Sequence, residues 1–248
     1  VTARFHAPDA AAPGTVVTLP ADEGAHLTRV LRLGRGDPVR VFDGRGGEFD
    51  AVVERTGRRD VQVRIEARRP SAPERATAVT LCLAVLKGDR MDDAVRDAAM
   101  LGAAAIQPVV STHAAATLAS LSGGARRERW TRTAVAGAKQ SGRAVVPPIR
   151  EPVMLADCLA AIGSAGLPAP AWMFVEPQAG AGVPLSGVTR HAPAHATIVV
   201  GPEGGWTTDE VAAGRQACAL ITMRGPTLRA DVMPVVALTA LFTLWESW

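Results

Sequence analysis

Two rhythms of apolar and polar positions divide this chain. In the first 70 residues the runs are short. Val16-Val17-Thr18-Leu19 reads as a strand, and Asp22 to Leu31 as a helix with Asp22 as its cap. Strand-like runs follow at Pro38 to Phe42, Glu48 to Glu54 and Val61 to Ile65, punctuated by Gly44, Gly46, Gly47 and Gly57. This pattern predicts a small β-barrel-like domain. Arg68 to Glu74 is polar, and Pro70 and Pro73 disfavour helix before them, so the domain boundary is expected there, dividing 1–72 from 73–248.

Beyond the boundary the apolar runs lengthen and begin to alternate in type. Strands are expected at Val79 to Leu86, Ile106 to Val110, Ala171 to Val175, Thr197 to Val200 and Leu220 to Met223. Helices are expected at Asp89 to Leu101, Ala125 to Gln140, Val153 to Ile162, Asp209 to Cys218 and Val235 to Trp245. Met91, Ala94, Val95, Ala98 and Leu101 give the first of these helices one apolar face. Gly163 to Pro170 and Gly180 to Pro193 read as loops. Alternating strands and helices indicate an α/β fold with a mostly parallel sheet.

Composition adds limits. Of 248 residues 48% are hydrophobic and 21% charged, which suits a folded globular chain and excludes disorder. A net charge of +3 permits nucleic-acid binding without requiring it. The basic residues are 25 Arg against only Lys87 and Lys139, a skew of the kind genome composition produces, so an average Arg carries little weight as a contact. Cys82, Cys158 and Cys218 are widely spaced in apolar runs and read as buried free thiols of a reducing compartment. There is no signal-peptide pattern and no apolar run of about 18 residues, so a cytoplasmic protein is expected. His191 and His195 flank Pro193 with no acidic third ligand near, so no metal site is expected.

The sharpest chemical signal is Ile198 to Glu210, an apolar strand that runs into Gly201-Pro202-Glu203-Gly204-Gly205 and then a helix. Thr207 and Glu210 have capping-box spacing. The glycines allow a ligand to approach the backbone, but the segment alone fits a tight turn equally well. No Lys-Ser/Thr follows, so it is not a triphosphate loop. An adenosine-bearing ligand suits it better. Lys87, in Leu86 to Asp92, is either a cation facing a phosphate or a solvated lysine. Arg126 to Arg132 with Lys139 to Arg143 is either an RNA-gripping helix and turn or a solvated face. In Gly225 to Asp231, Asp231 reads as a helix cap or as part of a site with Arg229.

In their order and spacing these segments resemble the bacterial 16S ribosomal RNA uridine-N3 methyltransferases, the RsmE family of the SPOUT superfamily. The resemblance rests on Ala3-Arg4-Phe5, His26 to Arg32, Gly36-Asp37, Phe42-Asp43-Gly44 and Lys87 to Asp92. It continues through Leu101-Gly102, Ile106-Gln107-Pro108, Arg129-Trp130, Gln140 to Arg143, Pro147, Gly201 to Gly205 and Leu228-Arg229. It implies an N-terminal PUA-like barrel, a C-terminal SPOUT domain with a trefoil knot, and a homodimer acting on 16S ribosomal RNA of the small subunit. It also implies S-adenosylmethionine held by Val175, Glu176, Val200, Gly201, Pro202, Gly204, Gly205, Met223, Gly225, Thr227 and Leu228. RNA contacts are implied at Arg4, Arg29, Arg32, Lys87, Arg129, Gln140 and Arg143.

The chain departs from the family pattern at Met100, Ala136, Lys139, Ser111 to Ala114, Arg224 to Pro226 and Ala230 to Val232. Chemically, Arg229 is expected to orient the uracil or stabilise its anion, with Glu203 or Asp231 as base. Glu203 fits equally well as a carboxylate that braces its loop. The methyl donor is already activated, so the reaction needs no metal. A SPOUT enzyme with another RNA target and a noncatalytic RNA-binding relative are the alternatives.

Overall fold

The computed structural model describes residues 2–57, 60–164, 166–177, 182–223 and 225–245. Ala165, Gly180 and Arg224, which fall in expected loops, lie outside the described residues. The chain forms two compact units, 1–74 with 138–146, and 75–137 with 147–248. The sequence reading assigned 138–146 to the second domain, whereas this segment packs with the first unit.

The first unit is built on a five-stranded sheet. β1 (Arg4–His6), β2 (Val16–Thr18), β3 (Pro38–Phe42), β4 (Glu48–Thr56) and β5 (Val61–Arg69) pair in the order β1-β3-β4-β5-β2. β1 runs parallel to β3 and the other pairs are antiparallel. Val61, Val63 and Ile65 alternate with Gln62 and Arg64, so one face of β5 is buried and the other wet. These side chains join Phe5, Leu27, Val39, Val41, Phe49 and Val53 in one core. The expected helix from Asp22 is two pieces, α1 (Ala21–Ala25) and a π-helical turn His26–Val30. Asp22 is not its cap. Pro20 takes the cap position without a side-chain bond, and Asp22 sits in the first turn, where its charge suits the helix dipole. Arg68 and Arg69 belong to β5 rather than to a linker.

The second unit carries β6 (Ala78–Ala84), α2 (Asp89–Leu101), β7 (Ala105–Val110), α3 (Leu118–Leu121) and α4 (Ala125–Ser141, up to Gly137 in this unit). Then follow β8 (Val153–Met154), α5 (Leu155–Ala160), β9 (Ala171–Val175), β10 (Val183–Pro184), β11 (His195–Val200), α6 (Thr208–Ala217), β12 (Ala219–Thr222) and α7 (Met233–Leu244). The expected helix from Val153 begins two residues later, because Val153 and Met154 pair with Val109 and Val110. The strands form a parallel sheet in the order β10-β12-β9-β11-β6-β7-β8. β7 and β9 are buried along their whole length, as strands covered on both faces must be.

The register places the site. Val199 pairs with Met173, and Thr222 with Val175. The carboxyl ends of the adjacent strands β12, β9 and β11 are therefore nearly level. Three loops leave the sheet side by side there, where open α/β sheets bind ligands.

Candidate active site

A cavity of about 300 Å³ opens between those loops. Phe174, Val175, Glu176 and Pro177 line it at and after the end of β9, Val200 to Glu203 and Trp206 at and after the end of β11, and Met223 and Pro226 to Ala230 after β12. Arg90 of α2 and Met233 of α7 complete the wall. Of the residues expected to hold a cofactor, Val175, Glu176, Val200, Gly201, Pro202, Met223, Thr227 and Leu228 come together here. Gly204, Gly205 and Gly225 do not face the cavity. The lining is apolar at its walls, with carboxylates and guanidinium groups among them, a mixture common in small-molecule sites.

Gly204 and Gly205 have another task, which is close packing. Gly205 has φ +69°, and a Cβ there would lie 2.5 Å from Glu176 Oε1. A Cβ at Gly204 would lie 2.8 Å from His113 Cβ. Gly201 is closed off in the same way, since a Cβ would meet the Trp206 indole at 2.9 Å. Trp206 cannot yield easily, because it is buried and its Nε1–H donates to Phe174 O at 2.8 Å. The loop is thus folded against its own tryptophan, and its glycines leave no room for side chains.

Two carboxylates clamp this loop. The Thr207 hydroxyl accepts from Glu210 N–H at 3.2 Å while Thr207 N–H donates to Glu210 Oε2 at 2.9 Å, so the expected capping box is present. The other Glu210 oxygen accepts from Thr112 N–H at 2.7 Å. His113 Nδ1 donates to Gly205 O at 3.1 Å. Burial alone would raise the Glu210 carboxyl, but the Thr112 and Thr207 donors outweigh it and hold it below the usual carboxylate range. Glu203 accepts from Lys87 N–H at 3.1 Å and pairs with Arg90 at 3.4 Å. It both lines the cavity and braces the loop against the start of α2.

Arg229 and Asp231 meet two residues apart. Arg229 Nε donates to Asp231 Oδ1 at 3.0 Å, and Nη2 to Oδ2, forming a bidentate pair. The Arg229 side chain is 66% exposed and Asp231 only 8%. The guanidinium holds the Asp231 carboxyl below its usual range, outweighing the effect of burial. Asp231 does not line the cavity, and Arg229 does.

The residues expected to touch RNA separate into two groups. Arg4 and Arg143 are structural. Arg4 pairs with Glu48 at 3.1 Å, lies 3.9 Å over the Phe42 ring, and donates to the carbonyls of Ala138, Lys139, Gly142 and Arg143. It adds donors at the carbonyl end of α4, where intrahelical N–H partners run out. Arg143 is buried and its Nε donates to both oxygens of Glu74. Both guanidinium groups are taken up by partners within the chain. Arg29, Arg32, Lys87 and Gln140 are exposed, and Arg32 holds a left-handed backbone at φ +55°. Arg129 is half-exposed and pairs with Asp89 at 2.7 Å and with Asp92.

Sequence reasoning missed Trp206, Arg90 and Met233, along with Phe174, Pro177, Pro226 and Ala230, as parts of the cavity. Trp206 was signalled by its place directly after the paired glycines. Arg90 stood within the Lys87 to Asp92 motif, three residues from the lysine that drew attention. Among the described residues no group of three or more His, Cys, Asp or Glu side chains is placed to hold a metal ion. Among the same residues no helix is long and apolar enough to cross a membrane.

Comparison with known proteins places this geometry. Residues 73–242 match the model of the RNA methyltransferase domain, and 19–66 that of the RNA methyltransferase PUA domain. Ribosomal RNA small subunit methyltransferase E of Synechocystis sp. is 32% identical over 93% of this chain and 74% of its own length. The Mycobacterium bovis protein of that name is 31% identical over 95% of this chain and 89% of its own. The crystal structure of the Neisseria gonorrhoeae enzyme of that name, bound to S-adenosylmethionine, superposes with a TM-score of 0.85 at 28% identity, covering 99% of this chain and 98% of that one. With a matching domain model across most of its length and relatives above 30% identity over nearly all of it, the chain belongs to the ribosomal RNA small subunit methyltransferase E family.

Proposed function

We propose that this chain transfers a methyl group from S-adenosylmethionine to N3 of a uridine in 16S ribosomal RNA. The observation that carries the reading is the cavity at the level ends of β12, β9 and β11, walled by Gly201, Pro202 and Glu203 and lined also by Arg229. Its chemistry suits the cofactor. Phe174, Val175, Val200, Met223 and Leu228 supply apolar surface for an adenosine, Gly201 adds backbone to the wall, and Glu176 and Glu203 are anions suited to a sulfonium. S-adenosylmethionine supplies an electrophilic methyl that needs no further activation.

The residues must then deal with the nucleophile. Uridine N3 carries a proton, and its lone pair is useful only as that proton leaves. Arg229 is assigned to hold the uracil and stabilise its developing anion. Glu203, the candidate base that lines the cavity, is assigned to take the proton and pass it to solvent. The N3–C bond forms as the S–C bond breaks, leaving a neutral thioether. The target must be unpaired or flipped out, because N3 is covered in a duplex. Arg29, Arg32, Lys87, Arg129 and Gln140 remain as the proposed RNA contacts. Homodimer formation, the trefoil knot and action on the small ribosomal subunit belong to this reading as well.

The test has two parts. Calorimetric titration with S-adenosylmethionine should give saturable binding, and absence of binding at millimolar concentration defeats the proposal. Modification mapping of small-subunit RNA from a deletion strain should then show loss of 3-methyluridine. Loss of a different methylation would transfer the reading to another RNA site, a possibility motivated by Ala230-Asp231-Val232.

A further inference from the structure

We infer that Asp231 is a positioning residue which fixes the Arg229 guanidinium over the cavity and does not itself accept the substrate proton. The inference rests on the reading just given, and it assigns to one carboxylate a role that the sequence leaves open.

Three observations converge. The first is geometry. Both Asp231 oxygens face Arg229, one toward Nε and one toward Nη2, so the edge between them is taken up by the guanidinium fork. The second is placement. Arg229 and Ala230 line the cavity, but Asp231 is buried behind them at the start of α7. The third is exposure. An arginine whose side chain is 66% accessible ordinarily samples many rotamers, so its charge is spread over a wide volume. A bidentate partner removes that freedom, and the planar guanidinium fork suits such a partner.

The surroundings favour the ionised form of Asp231. Arg229 and the more distant Arg90 both supply positive charge to it. The carboxylate also lies just before α7, where the helix N-terminus favours an anion. The turn is fixed as well, since Val232 N–H and Met233 N–H both donate to Arg229 O at 3.1 Å. The backbone of Arg229 is thus held from one side and its side chain from the other. A carboxylate so stabilised is a poor proton acceptor and a good tether.

A double-mutant cycle tests the assignment. Asp231→Asn should lower kcat on 16S RNA about tenfold or more and leave S-adenosylmethionine affinity within about threefold. Arg229→Ala should cost more, and the double variant should be no worse than Arg229→Ala alone, because the two residues act as one unit. The pH–rate profile of Asp231→Asn should keep the shape of the wild-type profile. Multiplicative losses in the double variant, or disappearance of the acid limb in Asp231→Asn, would overturn the inference in favour of a base.

One readout is independent of turnover. The Arg229 Nε–H resonance should be resolved and slow to exchange with solvent in the wild-type protein, and averaged in Asp231→Asn. An unchanged resonance rejects the tether whether or not the enzyme is active. An inactive wild-type protein that still shows the expected change rejects the functional reading alone.

Discussion

The Gly201 to Gly205 loop and the Gly225 to Asp231 loop face each other across one cavity, yet they are held by opposite means. The first is packed from behind by Trp206, Glu176 and His113 and clamped through Glu203 and Glu210. The second is exposed from Gly225 to Arg229, and Leu228 turns 38% of its surface to solvent. Arg229 and Asp231 pair with each other at its end. A cofactor cradle gains from rigidity, because a preformed site loses little freedom on binding. A segment that must admit a nucleotide gains from openness, provided that one reactive side chain is held in place. The difference points to a division of work between binding and turnover.

The sharpest way to break this comparison is to place side chains on both loops. Gly201→Ala drives a methyl into a tryptophan that is hydrogen-bonded and cannot yield, an overpacking that costs about 1–3 kcal/mol. Cofactor affinity should fall roughly 100-fold, and the melting temperature should drop. Gly205→Ala adds left-handed strain and displaces the Glu176 carboxylate, which lines the cavity, so affinity should fall there too, by less. Gly225→Ala is the control. Its φ is also positive, at +128°, but nothing lies within 4 Å of the added methyl. It should cost about 1 kcal/mol of local strain and leave affinity within about threefold. Equal losses of affinity at Gly201 and Gly225, measured by calorimetry, would erase the distinction between the loops.

Next in size is Arg229→Ala. Removing a charge-stabilising donor from a reacting centre typically costs about 100-fold in turnover. Cofactor affinity should stay near normal, since the guanidinium is paired with the neighbouring Asp231 carboxylate rather than with the glycine loop. Parallel loss of affinity and turnover, measured by single-turnover methylation beside calorimetry, would show that the open loop also serves binding.

The sequence made one side of this comparison readable and not the other. Strong local rules converge on the glycine loop, where an apolar strand, paired glycines and a capping box each point to the same turn. The same holds for α2, whose limits at Asp89 and Leu101 follow from its apolar spacing and the glycine beyond it. The pairing of Arg229 with Asp231 is not written in any periodicity, since residues two apart have no preferred contact outside a fixed turn. Arg4 and Arg143 were obscured for a different reason. In a chain with 25 arginines, nothing local tells a buried strut from a surface cation, and both are settled by partners tens of residues away. The three-residue β1 was too short to show alternation, and its parallel pairing with β3 is a tertiary fact.

A smaller effect sharpens how the rigid loop is held. Trp206→Phe keeps most of the ring but removes the indole donor to the buried Phe174 carbonyl. The cost should be about 1–2 kcal/mol, read as a lower denaturant midpoint at unchanged slope. A neutral result would mean that ring packing alone closes the loop.

The smallest expected effect concerns pH. The Glu210 carboxyl lies below its ordinary range in the folded chain because Thr112 and Thr207 donate to its charged form. A group whose folded pKa is depressed stabilises the fold above its unfolded pKa, and that contribution fades as pH falls through the folded value. Between neutral pH and the ordinary carboxylate range the contribution is fully present, and it should decline only in more acid solution. Glu210→Gln keeps the side-chain length and removes the charge, so it should cost about 1 kcal/mol or less at neutral pH. The gap between wild type and variant should close progressively below the ordinary carboxylate range, followed by thermal melts at stepped pH. A gap of constant size across that range would mean that Glu210 holds the loop by shape and not by charge, and the rigidity of the Gly201 to Gly205 cradle would then rest on its tryptophan and its glycines alone.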